Sequence, residues 1–351
     1  MLLEGIFPAM TTPFYPDGRC YFRKLEHNVA RYSRTPVAGI VVLGSTGEAP
    51  MLSDDETREV LQTAAQAAAA EKVLLAGVGR ESFVETMRLA EFAAEAMYDA
   101  VLVRTPHYYG PQMGPTEMLT YYRTLADRSP LPVVLYNIPK FTHYDLPVEV
   151  VAELAQHPKI IGIKDSTGSV ERIAALVEAT RNAAKRAVDV TTVFTAVTAR
   201  MQQAASAVET PNLVPATVLG GPAIAVAEAK PRIQTRTKDV GFQVLTGSAR
   251  SLLGSLDAGA TGAVLAMGAC LPQACQEVYW AWKDNDRRLA EEKQHRLTEP
   301  EAIVAAKYGI SGIKYACDLN GYYGGRPRIP LLPVDGDAQG EIARVLEDLR
   351  H

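Results

Sequence analysis

The chain has little cysteine, no long apolar run and no block of basic residues. Its four cysteines, Cys20, Cys270, Cys275 and Cys317, show no CxxC spacing, which favours reduced thiols over a disulfide framework. No apolar run approaches the roughly 18 residues that a membrane span requires. A net charge of -4 without a basic block argues against nucleic acid as the main partner. We therefore expect a cytoplasmic protein that binds a small molecule.

Metal-binding and nucleotide-binding motifs are also missing. The six histidines include no HExxH pair. Gly77 and Gly79 form only a weak GxG motif, because the third glycine of a dinucleotide-binding fingerprint is absent. The segment Gly44 to Gly47 is followed by Glu48 and not by the lysine of a P-loop. We therefore predict neither a metal nor an organic cofactor.

Apolar, β-branched runs alternate with segments of helical periodicity along most of the chain. Eight runs have the composition of buried strands: Gly5 to Met10, Gly39 to Leu43, Val73 to Gly77, Ala100 to Arg104, Pro132 to Tyr136, Ile160 to Lys164, Phe242 to Thr246 and Ala263 to Met267. Between the second and third runs, Ser53 and Glu56 provide a capping box for a helix. Continuous apolar strands with helical crossovers predict a parallel sheet covered by helices.

The fold class that these eight units favour is α/β, a (β/α)8 TIM barrel with a C-terminal helical extension. An open, doubly wound sheet is the less favoured alternative. The predicted barrel spans residues 1–268, with an insertion at about 183–240 between the sixth helix and the seventh strand. We expect this insertion on the face away from the active site. Residues 269–351 have the periodicity of about three further helices.

One predicted strand ends in a lysine, Lys164. Burial of an ammonium group is costly unless it is paired or becomes a neutral amine. A neutral amine is a nucleophile towards carbonyl carbon. Taken alone, Lys164 is better explained by access to water or by pairing with the adjacent Asp165. The carboxyl ends of barrel strands share one face. The residues at the other strand ends therefore indicate whether Lys164 is a nucleophile or a solvated or paired lysine.

Two of those strand ends carry hydroxyl groups. In the segment Gly44 to Gly47, small hydroxyl residues between glycines present N–H and O–H donors together, which suits a carboxylate or an oxyanion. A plain tight turn explains this segment equally well. Tyr136 ends the fifth strand, where its hydroxyl is able to transfer protons at the Lys164 amine. On its own, a tyrosine at this place is more often a core residue.

Three motifs together resemble the dihydrodipicolinate synthase and N-acetylneuraminate lyase family of class I pyruvate-type aldolases. They are Gly44 to Glu48 (GSTGE), Tyr136 to Pro139 (YNIP) and Gly162 to Ser166 (GIKDS). Within the family the chain is most similar to the 4-hydroxy-2-oxoglutarate aldolases, through stretches such as Thr105 to Tyr109 and Gly321 to Gly325. The similarity covers nearly the whole chain except roughly residues 183–240.

The resemblance implies roles for the strand-end residues. Lys164 forms a Schiff base with the keto carbon of pyruvate or of a related 2-oxo acid, and Tyr136 is the proton-transfer residue. Ser45 links Tyr136 to a further tyrosine, and Ser45 and Thr46 bind the carboxylate of the 2-oxo acid. The family supplies that further tyrosine from a neighbouring subunit, so the resemblance implies a homotetramer built as a dimer of dimers.

Other positions follow from the same resemblance. The further tyrosine matches Tyr108 best, with Tyr109 as the second choice and as a substrate-binding residue. Ser166 stands where relatives carry a serine just past the lysine, and Gly247 joins the substrate-binding set. Phe141 occupies the position where dihydrodipicolinate synthases carry an arginine that holds a substrate carboxylate. The 4-hydroxy-2-oxoglutarate aldolases have asparagine there.

The activity that the resemblance implies is cleavage of a 4-hydroxy-2-oxo acid by a class I aldolase, with 4-hydroxy-2-oxoglutarate giving pyruvate and glyoxylate. Alternatives on the same imine are dihydrodipicolinate synthesis, which Phe141 disfavours, N-acetylneuraminate cleavage, and cleavage or dehydration of a keto-deoxy sugar acid. An alternative of a different class is a catalytically silent 2-oxo acid binding protein. Retention of Lys164, Tyr136 and Ser45 argues against silence, because a binder does not need the nucleophile or its acid.

Overall fold

The computed structural model describes residues 1–206 and 233–350. Ten strands are present in this part of the chain: β1 (Gly5–Pro8), β2 (Gly39–Val42), β3 (Val73–Gly77), β4 (Ala100–Arg104), β5 (Val133–Asn137), β6 (Ile160–Asp165), β7 (Arg186–Thr191), β8 (Thr235–Val240), β9 (Gln243–Thr246) and β10 (Gly262–Leu265). Eight of them form one sheet in the order β1-β10-β9-β6-β5-β4-β3-β2, and every neighbouring pair is parallel.

The sheet closes into a barrel where its first and last strands meet. Ala9, just after β1, forms a parallel bridge with Val41 of β2, and the N–H of Met10 donates to the carbonyl of Val41 at 3.1 Å. The predicted TIM barrel is thereby confirmed. All eight predicted strands are present, and their ends differ from the prediction by at most two residues, because continuous apolar composition identifies a strand better than its limits.

Thirteen α-helices are found in the described residues: α1 (Phe22–Ser33), α2 (Asp54–Ala67), α3 (Phe83–Glu95), α4 (Pro115–Arg128), α5 (Pro139–Thr142), α6 (Val148–Leu154), α7 (Val170–Thr180), α8 (Ala199–Ser206), α9 (Leu252–Asp257), α10 (Pro272–Lys283), α11 (Arg287–Pro300), α12 (Gly309–Leu319) and α13 (Gly336–Val345). The capping box predicted at Ser53 and Glu56 is present at the start of α2. No helix among the described residues is long and apolar enough to cross a membrane.

The apolar side chains of the strands divide between two layers. Alternate residues of β4 and β5, such as Leu102 and Val134, join a buried cluster inside the barrel. The residues between them, such as Val103 and Leu135, pack outward in the cluster beneath the helices. Because successive side chains of a strand point to opposite faces, Arg104 and Tyr136 continue the inward series beyond Leu102 and Val134.

The region predicted as an insertion contains an antiparallel pair of strands, β7 and β8, and α8 lies between them in the chain. The Arg186 guanidinium donates to the carbonyls of Ile161 and Gly241, and the N–H of Ala199 donates to Asp99, just before β4. These contacts lie at the amino ends of the barrel strands, opposite the predicted site. Residues 207–232 of the same predicted insertion lie outside the described residues.

Four α-helices, α10 to α13, and a π-helical segment, Glu301–Lys307, follow the barrel. The prediction of about three helices there was too coarse. Asn285 adopts a left-handed backbone conformation with φ 58° after α10, and Gly309 does so with φ 60° at the first residue of α12. These residues interrupt segments whose periodicity predicts longer helices. The π-helical segment begins directly after Pro300, which removes a backbone donor from the helix.

Candidate active site

The predicted site residues lie at the carboxyl ends of the barrel strands. Arg104, Tyr136 and Lys164 are neighbours in register across β4, β5 and β6. Neighbouring strands lie about 4.8 Å apart, so three side chains from three strands reach the same level of the barrel mouth. The register therefore places a basic side chain on each side of Tyr136.

Lys164 is buried, with 4% of its surface exposed. Its neighbour Asp165 does not pair with it, because the Asp165 carboxylate accepts from Asn137 Nδ2 at 2.8 Å and from Arg172 Nε at 2.7 Å. The N–H of Thr167 also donates to this carboxylate, at 3.0 Å. Since successive residues of β6 point to opposite sides, Asp165 faces away from the barrel interior. Pairing with Asp165, one of the two explanations offered for a strand-end lysine, is therefore wrong.

Tyr136 lies between Lys164 and the turn after β2. The Lys164 Nζ atom is 4.1 Å from the centroid of the Tyr136 ring, and the Tyr136 hydroxyl is 3.2 Å from Ser45 Oγ. Tyr136 is buried in the core of the barrel, but its ring lies beside a buried amine and its hydroxyl pairs with Ser45. This geometry suits proton transfer at the amine and at a group bound to it.

The turn that carries Ser45 is a short 3-10 helix, Ser45–Gly47. The N–H of Gly47 donates to the carbonyl of Gly44, and the N–H of Glu48 donates to the carbonyl of Ser45. Within the described residues, the N–H groups of Ser45 and Thr46 have no acceptor, as expected for the first donors of a helical turn. Two N–H groups and the Ser45 hydroxyl are thus available to an anion such as a carboxylate.

Close packing explains one glycine of the weak GxG motif. A side chain at Gly77 would place its Cβ atom 2.1 Å from the carbonyl oxygen of Leu43, two residues before this turn. Gly77 therefore allows the turn after β2 to lie against β3. The motif serves packing in the barrel, and the dinucleotide-binding alternative loses its support.

Ser166 and Gly247 face each other beyond the ends of β6 and β9. A Cβ atom at Gly247 would lie 2.1 Å from Ser166 Oγ, and the N–H of Gly247 donates to the carbonyl of Asp165 at 2.7 Å. These two predicted substrate-binding positions are brought together by the fold. Any side chain at position 247 would displace the Ser166 hydroxyl.

Three predicted residues lie apart from this cluster and are exposed. Tyr108 and Tyr109 follow β4 in a loop, with 75% and 59% of their surfaces exposed, and their rings contact each other edge to face at 5.1 Å. Phe141, in α5, is 49% exposed and has the Lys140 Nζ atom 5.8 Å from its ring centroid. A single copy of the chain does not bring Tyr108 to Ser45.

Sequence reasoning missed a charged network that holds the Tyr108 loop. Glu81 Oε2 accepts from the N–H groups of His107 and Tyr108, at 2.9 and 3.0 Å. Glu81 Oε1 accepts from Arg104 Nη1 at 2.8 Å and lies 2.7 Å from His107 Nδ1. Burial raises the pKa of Glu81, but these hydrogen bonds outweigh it and leave the pKa below its ordinary value.

A signal for this network was present in the sequence. Arg104 is two residues after Leu102, so both side chains point into the barrel. A charged side chain that follows apolar inward-pointing residues indicates the end of the strand, at the mouth of the barrel. Gly79 complements it, because a Cβ atom at position 79 would lie 2.8 Å from the Arg104 backbone nitrogen and 2.9 Å from its Cγ atom. The second glycine of the weak GxG motif therefore makes room for Arg104.

Comparison with known proteins gives a consistent result. The model of the dihydrodipicolinate synthetase family matches residues 2–186 and 219–349. A 4-hydroxy-tetrahydrodipicolinate synthase from Methanothrix thermoacetophila is 27% identical over 345 residues, which cover 98% of this chain and 96% of that protein. A protein of the same name from Cereibacter sphaeroides is 28% identical over 351 residues, covering 100% and 99%.

Solved structures share the fold. A dihydrodipicolinate synthase from Bacillus anthracis superposes with a TM-score of 0.78 at 22% identity, covering 99% of both chains. A prophage protein of the dihydrodipicolinic acid synthase family from E. coli K12, solved in complex with pyruvate, also has a TM-score of 0.78, at 24% identity and 99% coverage of both chains.

Proposed function

Because this chain belongs to the dihydrodipicolinate synthetase family, we propose that it is a Schiff-base aldolase that cleaves 4-hydroxy-2-oxoglutarate to pyruvate and glyoxylate. One observation carries this proposal: the Lys164 amine is buried beside Tyr136 while Asp165 is bound elsewhere. An amine without a carboxylate partner loses little when it becomes neutral, and a neutral amine attacks carbonyl carbon.

The first half of the reaction forms the imine. The substrate carboxylate binds the N–H groups of Ser45 and Thr46 and the Ser45 hydroxyl, which sets its C2 carbonyl beside Lys164. Lys164 Nζ attacks C2 and forms a carbinolamine. Tyr136 gives its proton to the C2 oxygen, which leaves as water, and a protonated imine and a tyrosine phenolate remain.

The second half breaks the carbon–carbon bond. The Tyr136 phenolate takes the proton of the C4 hydroxyl, the C3–C4 bond breaks, and its electron pair moves into the imine to form an enamine. C4 leaves as the aldehyde carbon of glyoxylate. Protonation of C3 and addition of water to C2 then release pyruvate and free Lys164, with Tyr136 relaying the protons through Ser45.

We propose that Tyr108 completes the relay in a neighbouring subunit of a homotetramer, with Tyr109 as the alternative. The exposure of both rings in a single copy supports a place in a partner's site. Ser166, Gly247 and Phe141 are proposed to line the substrate pocket. The four cysteines are buried free thiols, which supports a cytoplasmic location.

Dihydrodipicolinate synthesis is a second candidate, because relatives that span the whole chain carry that activity in their name. It uses the same imine between pyruvate and Lys164 and differs in the second substrate. Phe141 opposes it, since an aromatic ring offers no donor to a substrate carboxylate. A panel of 2-oxo acids and aldehydes, with lactate dehydrogenase to detect pyruvate, distinguishes the two. Absence of pyruvate from 4-hydroxy-2-oxoglutarate would reject our first choice.

The test of the common step is borohydride trapping. Incubation with pyruvate and borohydride, followed by peptide mass spectrometry, is expected to reveal a reduced adduct on Lys164. Lys164→Ala should abolish the adduct, whereas Lys140→Ala, which removes an exposed lysine close to Phe141, should retain it. An adduct that persists in Lys164→Ala, or no adduct in the unmodified protein, would reject the mechanism.

A further inference from the structure

A small cavity lies next to Tyr136 on the side away from Lys164. It has a volume of about 40 Å³, which holds roughly three water molecules or one group of similar size, such as a carboxylate. Its polar side chains are Ser45, Arg80, Arg104 and Tyr136, and none of its lining residues is acidic. The cavity therefore shares two residues with the proposed catalytic relay and is bordered by two cations.

Arg80 has an incomplete set of partners for a largely buried cation. Its Nη1 atom donates to the carbonyl of Gly79 at 3.1 Å, and its Nη2 atom donates to Thr57 Oγ1 at 3.2 Å. Neither acceptor is charged, and within the described residues Arg80 forms no ion pair. Burial, and then the nearby Arg104, lower the pKa of Arg80, and the carboxylates of Asp54 and Glu85 oppose this only in part. A guanidinium in this position is stabilised when an anion enters the cavity.

Arg104 is less available because Glu81 binds it at 2.8 Å. Its positive charge is thus offset, and it also holds the loop of Tyr108 through Glu81. Its backbone is in register with Tyr136, which in turn is in register with Lys164. Because Tyr136 lines the cavity and its ring contacts Lys164, a substrate joined to Lys164 that extends past Tyr136 reaches the cavity. Among the described residues, no carboxylate contacts the Arg80 guanidinium there.

We propose that Arg80, supported by Arg104, binds the second carboxylate of a dicarboxylic 2-oxo acid whose first carboxylate lies at Ser45 and Thr46. This assignment rests on the proposed Schiff-base function and adds to it the residue that selects a substrate with a second carboxylate. The cation comes from the end of β3, on a different side of the mouth from Phe141. The chain thus compensates for the aromatic residue at position 141 with a charge from another strand.

The test uses competition for the lysine and requires no turnover. Pyruvate is trapped on Lys164 with borohydride in the presence of 2-oxoglutarate, which has a second carboxylate, or of 2-oxopentanoate, which has the same carbon chain ending in a methyl group. Arg80→Gln is expected to weaken competition by 2-oxoglutarate about tenfold and competition by 2-oxopentanoate less than about twofold. Arg80→Lys should recover part of the difference.

Two controls accompany this test. Arg88→Gln removes an exposed guanidinium from α3 that does not line the cavity, and it should leave both competitors unchanged. Unchanged trapping of pyruvate alone by Arg80→Gln shows that the variant folds and that Lys164 still reacts. Equal weakening of both competitors in Arg80→Gln would overturn the assignment, since it would reflect a general disturbance of the site.

Further outcomes separate the two proposals. Absence of any pyruvate adduct in the unmodified protein would overturn the Schiff-base function and this assignment together. A normal adduct with the same preference between competitors in the unmodified protein and in Arg80→Gln would overturn the carboxylate subsite alone. Acetate that binds through Arg80 without reducing the affinity for 2-oxoglutarate would show that the cavity takes a separate anion, and would also overturn the assignment.

Discussion

Lys314 of α12 forms an ion pair with Glu48, the residue that follows the Ser45–Gly47 turn: Lys314 Nζ lies 2.6 Å from Glu48 Oε1, and both side chains are 0% exposed. The other carboxylate oxygen of Glu48 accepts from the N–H of Arg328 at 2.8 Å. Lys314 also donates to the carbonyl of Arg326 at 2.9 Å. The C-terminal helices are thus joined to the turn that presents the carboxylate-binding donors.

Removal of one partner of this pair is expected to destabilise the protein strongly. Lys314→Met leaves the Glu48 carboxylate buried without its cation, and we expect a loss of about 3–5 kcal/mol in the free energy of unfolding. Urea denaturation measures this loss. The double variant Glu48→Gln with Lys314→Met should lose less than the two single variants together, because no unpaired charge remains.

The matched control is Lys307→Met, which breaks an exposed pair with Glu341. Water screens an exposed pair, so its removal should cost far less stability than removal of the buried pair. Equal losses in Lys307→Met and Lys314→Met would contradict the importance assigned to the buried pair.

Tyr136→Phe removes the hydroxyl that is 3.2 Å from Ser45 Oγ. We expect formation of the pyruvate adduct to slow by roughly 10²–10⁴-fold, the usual contribution of general acid–base catalysis. Quenching the trapping reaction at successive times measures this rate. Tyr144→Phe is the control, since within the described residues the Tyr144 hydroxyl is buried without a hydrogen-bond partner, and it should react at the normal rate. Equal rates in Tyr136→Phe and the unmodified protein would remove Tyr136 from the relay.

Glu81→Ala is expected to disturb the loop that carries Tyr108, because Glu81 accepts from the N–H groups of His107 and Tyr108. We expect adduct formation to slow roughly tenfold, through misplacement of the relay tyrosine. Tyr108→Phe combined with Glu81→Ala should be little slower than Tyr108→Phe alone, since both changes act on one group.

Glu85→Ala provides the comparison for this series. Glu85 pairs with Arg58 and Arg88 and makes no hydrogen bond to the Tyr108 loop. Its removal should leave the rate unchanged. If the reductions in the rate of adduct formation caused by Glu81→Ala and Tyr108→Phe multiply in the double variant, Glu81 acts independently of the tyrosine.

We expect Glu301 to make the free energy of unfolding depend on pH near neutrality. Burial raises its pKa from the ordinary 4.5 to about 7, and its Oε2 atom is buried without a hydrogen-bond partner within the described part of the chain. The folded state therefore binds more protons than the unfolded state between these two values. Stability should fall as pH rises through about 4.5 to 7, by on the order of 3 kcal/mol in total.

Glu301→Gln keeps the shape of the side chain and removes this titration. Urea denaturation at pH 5 and pH 8 should show that the variant is more stable than the unmodified protein at pH 8, with a smaller difference at pH 5. Glu299→Gln changes an exposed carboxylate and should leave the pH profile intact. A profile unchanged by Glu301→Gln would show that another group controls it.

The strands and helix starts that were predicted correctly are those that depend on residues close together in the sequence. Buried parallel strands require continuous apolar runs, so the eight barrel strands stand out, and the capping box at Ser53 and Glu56 is a contact within four residues. Strand β8, Thr235–Val240, was missed because its residues are mostly exposed and carry polar side chains. A strand of this kind has no regular pattern of apolar residues, so hydrophobic periodicity does not reveal it.

The sequence by itself determined the barrel, the strand that ends in Lys164 and, through family motifs, the hydroxyl residues around it. Only the tertiary structure decided that Asp165 binds Arg172 and leaves Lys164 to face Tyr136. It alone showed the buried pair of Glu48 with Lys314 and the unpaired cation of Arg80 beside the site. The strength of an interaction between charges depends on their distance and burial in the folded protein. Glu48 and Lys314, more than two hundred positions apart in the chain, meet only after the barrel has closed.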